Sequence, residues 1–259
     1  MANLASFWIG EGLGPIEMAS LRSFLRHGDS VTVFSPSPVG GLPGGVMWRD
    51  AHEILPTQGI LRDRRSGSPA PHADLFRYAL LEQTDMIWVD LDVIALRPFD
   101  GNSPWIFGHE DETTVNNAVL RLPKDSRTLR LLRQFHPGTR GIPPFMSGFR
   151  RLKYRVRTLG RGMPIDRWPW GSTGPRGLTH FLRVTGEICH ARPVSTFYAI
   201  PQREAARFLI PDGVTMSDLP KDAWAVHLWA KDLRCELDRR HGGKVPERSF
   251  LGRVLGGAL

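Results

Sequence analysis

Trp88-Val89-Asp90-Leu91-Asp92 closes an apolar run that begins at Met86 and sets two carboxylates two residues apart. Read as a β-strand over Met86 to Leu91, the run puts side chains at i and i+2 on one face. Asp90 and Asp92 are then expected to point one way, and Val89, Leu91 and Val93 into the sheet. Two carboxylates on one rigid edge suit a hard divalent cation, which prefers oxygen ligands. Without a cation, two close anions repel. An Asp-x-Asp triplet arises by chance roughly once in every two chains of this size. It occurs once here, so its surroundings decide what it means.

Upstream of the strand, a helix from about Ala73 to Gln83 carries Leu75, Phe76, Ala79 and Leu80 on one face and Asp74, Arg77 and Tyr78 on another. Before it, Thr57 to Pro71 reads as a polar loop and Gly40 to Gly45 as a turn cluster. Ala5 to Ile9 reads as a strand ended by Gly10. A helix opened by Pro15 and stopped at Gly28 and a strand at Val31 to Phe34 follow, with another at Val46 to Trp48. Strand, helix and strand within the first 35 residues mark a parallel α/β sheet. In such sheets ligands bind beyond the carboxyl ends of the strands, which is where the Asp pair falls.

Further strands are expected at Pro104 to Gly108, Val115 to Leu122 and Ala223 to Leu228. Helices are expected at Ser126 to Phe135 and Pro175 to Val184. From about His136 to Gly171 the chain is rich in Gly, Pro, Arg and Trp and follows no regular period, which reads as an excursion from the core sheet, a helix with a mobile loop. The expected organisation is one α/β domain over residues 1–259 interrupted by that excursion.

The composition, 41% hydrophobic over 259 residues, excludes disorder, and no apolar run is long enough to span a membrane. The first residues lack the pattern of a signal peptide. Cys189 and Cys235 make no zinc spacing and no disulfide framework, consistent with a cytoplasmic protein. The net charge of +8 favours anionic partners. It concentrates between Arg150 and Arg167, which fits an anionic acceptor or the inner face of an anionic membrane. No nucleic-acid-binding motif accompanies the charge, so no nucleic-acid partner is expected.

Four segments stand out in order: Phe7-Trp8-Ile9-Gly10, Asp74 to Leu81, Trp88 to Val93, and His227-Leu228-Trp229. In that order and spacing the chain resembles glycosyltransferases with the DXD sugar-binding region, a group that includes α-1,4-galactosyltransferase-like and mannosyltransferase-like enzymes. More distantly it is similar to the glucosyltransferase domain of the large clostridial toxins. The most specific part is the Asp-x-x-Arg on a helix sixteen residues before the Asp-x-Asp. Relatives usually carry Gly-Gly before the strand, where this chain has Thr84-Asp85-Met86.

The resemblance implies a GT-A fold and a metal-dependent, retaining transfer of a hexose from a nucleotide sugar, a UDP-sugar in the first instance, to a glycan, polysaccharide or other hydroxyl acceptor. Asp92 would ligate Mn²⁺ or Mg²⁺, with Asp90 binding ribose and the metal shell and His227 as a third ligand. Asp74 would accept hydrogen bonds from donor-sugar hydroxyls, Arg77 would contact the donor sugar or diphosphate, Trp8 would stack on the base, and Asn117 would touch the sugar. Trp229 would donate its indole N–H to the β-phosphate, with Lys231 adding charge. Gly171 to Pro175 resembles the family's turn before a helix, equally readable as a capping turn with Ser172 or Thr173 as cap. Each residue also has an ordinary reading: Asp74–Arg77 as a surface ion pair, Trp8 as core, and His227 as structural. A catalytically silent nucleotide- or glycan-binding protein of the same fold is the alternative function.

Overall fold

The computed structural model describes residues 1–56 and 58–258; Thr57, at the start of the expected loop, lies outside the described residues. In chain order the elements are β1 (Asn3–Phe7), α1 (Pro15–Arg26), β2 (Ser30–Ser35), β3 (Val46–Asp50), α2 (Ala70–Gln83), β4 (Ile87–Val89), β5 (Val93–Ala95), β6 (Ile106–His109), β7 (Val115–Arg121) and α3 (Arg127–Leu132). There follow β8 (Arg140–Gly141), α4 (Gly148–Arg157), β9 (Met163–Pro164), α5 (Pro175–Thr185), β10 (Ala225–His227), α6 (Ala230–His241) and α7 (Phe250–Gly256).

A six-stranded sheet in the order β3-β2-β1-β4-β7-β6 forms the centre. β3, β2, β1 and β4 run parallel; β7 pairs antiparallel with both β4 and β6, so β6 runs the same way as β4. The strand residues sort by alternation. Leu4, Val31, Val33, Ile87 and Val89 face a core shared with α1, α6 and α7. Ala5, Phe7, Phe34 and Trp88 face a second core built with α2, α3 and α5. Burial on both faces explains why these strands read as near-continuous apolar runs. The architecture is the expected mixed α/β one, with a mostly parallel central sheet flanked by helices.

Three local readings change. α2 starts at Ala70, earlier than expected, and it is buried on every side from Asp74 to Leu81, so its polar face is not a surface face. The excursion between residues 136 and 171 holds the expected helix, α4, and adds the two-residue ladder β8–β9. The strand carrying the Asp pair is shorter than read. β4 ends at Val89, the Asp90 amide N–H donates to the Ala118 carbonyl of β7 at 2.7 Å, and a turn then closes between Val93 N–H and the Asp90 carbonyl at 3.2 Å. The chain leaves the main sheet here because β5 pairs instead with β10, antiparallel, with His227 opposite Val93. Asp90 and Asp92 therefore flank a turn and do not share the face of one strand.

Candidate functional site

The chain lays β2 and β3 to one side of β1 and then returns to place β4 on the other. The carboxyl ends of β1 and β4 therefore diverge at a topological switch point, the position where open α/β sheets form a binding crevice. A cleft of about 470 Å³ occupies it. Trp8 follows β1 into the cleft, Asp90 and Asp92 follow β4, and Asp74 and Arg77 enter from α2. The segment from Trp168 to Thr173 forms the opposite wall.

His227 reaches this cleft through the β5–β10 pairing. The Leu228 N–H donates to the Asp92 carbonyl at 2.8 Å, fixing the two segments against each other. One side-chain ligand atom from each of Asp90, Asp92 and His227 lies within 4.8 Å of the others. His227 Nε2 stands 3.2 Å from Asp92 Oδ1. The N–H of Ala230, the first residue of α6, donates to Asp92 Oδ2 at 2.8 Å, so a helix N-terminus fixes the carboxylate. Burial pushes the Asp92 carboxyl up, but the His227 charge and the hydrogen bonds from His227 and Ala230 outweigh it and hold the group below the usual carboxylate range. Burial likewise opposes a charged His227; the neighbouring Asp92 carboxylate overcomes this and raises the imidazole. Asp90 moves the other way. Burial lifts it to about 6, against the favourable charge of Arg77 and with the repulsion of Asp92 added. The pair thus carries the mutual repulsion anticipated for two anions at one edge. The buried His227 Nδ1 has no hydrogen-bond partner. Two carboxylates and an imidazole form a donor set compatible with a divalent cation.

Behind this cluster lies a second, hydrogen-bonded one, in which only the Arg77 Nε of the guanidinium is left without a partner. Arg77 Nη2 donates to Asp90 Oδ1 at 2.8 Å and Nη1 to the Asn117 carbonyl at 2.7 Å. Its guanidinium also lies over the Trp88 ring, 4.5 Å from the centroid, while the Trp88 indole N–H donates to Asp90 Oδ1 at 2.7 Å. Asp74 Oδ1 accepts from Asn117 Nδ2 at 2.8 Å and Oδ2 from the Thr173 hydroxyl at 2.7 Å, with Arg77 Nη1 at 3.5 Å. Burial raises the Asp74 carboxyl; the Arg77 charge and these hydrogen bonds counter it only in part. The Asp74–Arg77 pair is therefore a buried ion pair, with Asp74 8% and Arg77 4% exposed.

Trp8 is half-buried, lines the cleft and donates its indole N–H to the Gly12 carbonyl at 3.1 Å. Trp229 differs from expectation. Its indole N–H is committed to the Ile200 carbonyl at 2.9 Å, so the donor assigned to a β-phosphate is already engaged within the protein. Trp229 holds a left-handed backbone, φ 59, which starts α6 and aims the Ala230 N–H at Asp92. Lys231 is exposed, with its ammonium 5.9 Å from the Trp170 ring centroid. In the turn before α5 the cap residue is Gly174 without a side-chain cap, and the Thr173 hydroxyl is spent on Asp74. Thr84 makes the turn before β4; its hydroxyl accepts from the Met86 N–H.

Sequence reading missed Thr173 as a partner of Asp74, and it missed the ion pair between Arg234 and the buried Glu17, both on the cleft wall. Glu17 carried a signal, because a carboxylate three residues into α1 can reach back to its cap, and it accepts from the Gly14 N–H at 2.9 Å. The acidic run 110–112 forms the turn between β6 and β7. Asp111 Oδ1 accepts the Thr113 and Thr114 N–H groups there, and Glu110 accepts from Asn116 Nδ2.

No family model and no curated protein matches the chain. Among solved structures it is similar to a PaToxG glycosyltransferase, at 13% identity and a TM-score of 0.44, over 99% of this chain and 84% of that one. A likeness at that level leaves the function to be read from the cleft itself.

Proposed function

We propose that the protein is a metal-dependent, retaining glycosyltransferase that moves a hexose from a nucleotide sugar, a UDP-sugar in the first instance, to a hydroxyl on a glycan, polysaccharide or similar acceptor. The observation that carries this reading is the meeting of Asp90, Asp92 and His227 in one cleft with the Asp74–Arg77–Asn117 network. Two carboxylates and an imidazole are compatible with a divalent cation, taken in this proposal as Mn²⁺ or Mg²⁺, and the unpartnered, buried His227 Nδ1 leaves that side chain under-used by the protein alone. When bound, the cation supplies Lewis-acid neutralisation of a diphosphate leaving group.

The chain's own residues then divide the work. Ala230 fixes Asp92, and Arg77 with Trp88 fixes Asp90, so the ligating carboxylates are pre-oriented. Asp74, with three acceptor positions in use, keeps capacity for one sugar hydroxyl. Trp8 offers a ring face at the end of β1 for the base, worth about 1–3 kcal/mol by stacking. Asp74, buried and hydrogen-bonded at both oxygens, serves in this reading as a hydroxyl acceptor and not as a nucleophile. This favours front-face displacement: the acceptor oxygen bonds to the anomeric carbon as the bond to the phosphate oxygen breaks, and the acceptor proton passes to the departing phosphate. Such a reaction asks the protein for positioning and charge stabilisation more than for acid–base chemistry.

Calorimetric titration tests the site. UDP is expected to bind in Mn²⁺ and to lose at least tenfold in affinity in EDTA, with Asp92→Asn and His227→Ala each removing most of the metal effect. Equal UDP affinity with and without metal in the unaltered protein would sink the assignment.

A further inference from the structure

Helix α4 has no buried residue. Phe149, Leu152 and Val156 are 79%, 56% and 68% exposed. At about 3.6 residues per turn these three fall in one stripe roughly 60° wide. Tyr154 and the cap residue Thr158, the half-buried positions, fall on the opposite side of the same helix. The helix thus rests on the body through its Tyr154 side and turns its apolar stripe directly away from the protein. Lys153 and Arg155 flank the stripe, one on each side, and Arg150, Arg151 and Arg157 complete a helix without any acidic residue. Leu159, just beyond the helix, is 88% exposed.

We infer that α4 is an interfacial helix that docks the protein onto an anionic lipid bilayer. An apolar stripe bordered by long basic side chains is the composition that lies in the headgroup plane, with the apolar residues inserted and the cations reaching anionic headgroups. Charge selects this occupant. A second copy would bring an all-cation helix against an all-cation helix, whereas an anionic membrane surface attracts each lysine and arginine near it. The chain runs on from α4 through β9 into the Trp168–Thr173 wall of the cleft. The inference stands apart from the proposed reaction, since none of these side chains lines the cleft.

Vesicle co-sedimentation tests it with the full chain. The protein is expected to pellet with vesicles of equimolar phosphatidylcholine and phosphatidylglycerol and to stay in the supernatant with phosphatidylcholine alone. Replacing Phe149→Ser, Leu152→Ser and Val156→Ser together is expected to weaken partitioning at least about tenfold. Lys153→Glu and Arg155→Glu are expected to cost roughly fivefold for each charge lost. Because all three stripe residues are mostly exposed, circular dichroism and the melting temperature of the triple variant should match the unaltered chain, separating lost docking from lost folding. Equal binding to both vesicle types, equal binding of the triple variant, or pairing of two chains through the stripe in sedimentation velocity would each overturn the inference.

Discussion

Arg77 carries the heaviest electrostatic duty of any single side chain in the cleft. It stands between the buried Asp74 and the half-buried Asp90 and bonds the Asn117 carbonyl as well. Removing one partner of a buried ionic network leaves uncompensated charge and costs about 3–5 kcal/mol. Arg77→Met is therefore expected to lower stability by about that much in urea denaturation, and Arg77→Lys to recover little, because an ammonium lacks the planar fork that reaches both sides. Gly174 is a second pressure point. A Cβ there would stand 2.9 Å and 3.1 Å from the Asp74 oxygens and 3.2 Å from Asn117 Nδ2. Gly174→Ala should cost about 1–3 kcal/mol and raise the donor KM, read by thermal melting and steady-state kinetics. The identities of Asp74, Arg77, Asp90, Asp92 and His227 were legible as motif positions. What the sequence hid was their state: an i,i+3 pair looks the same on a surface helix as on a buried one, and nothing in His227-Leu228-Trp229 says that the indole N–H is spent on Ile200.

Elements set these side chains by long-range pairing. The β5–β10 ladder brings Ala230 to Asp92 across 138 residues, which periodicity cannot reveal because register between distant strands leaves no local trace. The early departure of the chain after β4 was hidden for the same reason: Val93 to Ala95 is strand-like in either sheet. The N-terminus of α3 shows a comparable long-range device. Glu187 accepts from the Ser126 hydroxyl at 2.7 Å and from the Arg127 and Thr128 N–H groups at 2.8 and 3.0 Å. Burial pushes its carboxyl up, and the hydrogen bonds from Thr128, Ser126 and Arg127 outweigh that and hold it below its ordinary value. A depressed carboxylate contributes stability that is full above the unfolded-state pKa, about 4.3, and is lost as pH falls through the folded value. Glu187→Gln is therefore expected to cost about 0.5–2 kcal/mol at neutral pH. That cost should shrink as the pH falls below about 4, as followed by denaturation at stepped pH.

At the scale of the whole molecule, the order β3-β2-β1-β4-β7-β6 accounts for where chemistry can happen. Two cores sandwich the sheet and leave the diverging strand ends of β1 and β4 as the crevice. That much followed from strand–helix–strand spacing and from carboxylates after an apolar run. The net charge of +8 also pointed to anionic partners, but it could not say that α4 turns an apolar stripe outward, since that depends on which side of the helix rests on the body. The site also couples ligand to fold. Mn²⁺ is expected to raise the melting temperature and EDTA to reverse it, with no shift in Asp92→Asn, because a ligand held only by the folded chain stabilises it by mass action. The central claim is tested most directly by donor turnover: release of UDP from a panel of UDP-sugars in Mn²⁺, with and without Asp92→Ala. At least one UDP-sugar is expected to be cleaved, and the substitution is expected to lower the rate about 100-fold or more. Absence of turnover and binding for every nucleotide sugar tried, or an unchanged rate in Asp92→Ala, would contradict it.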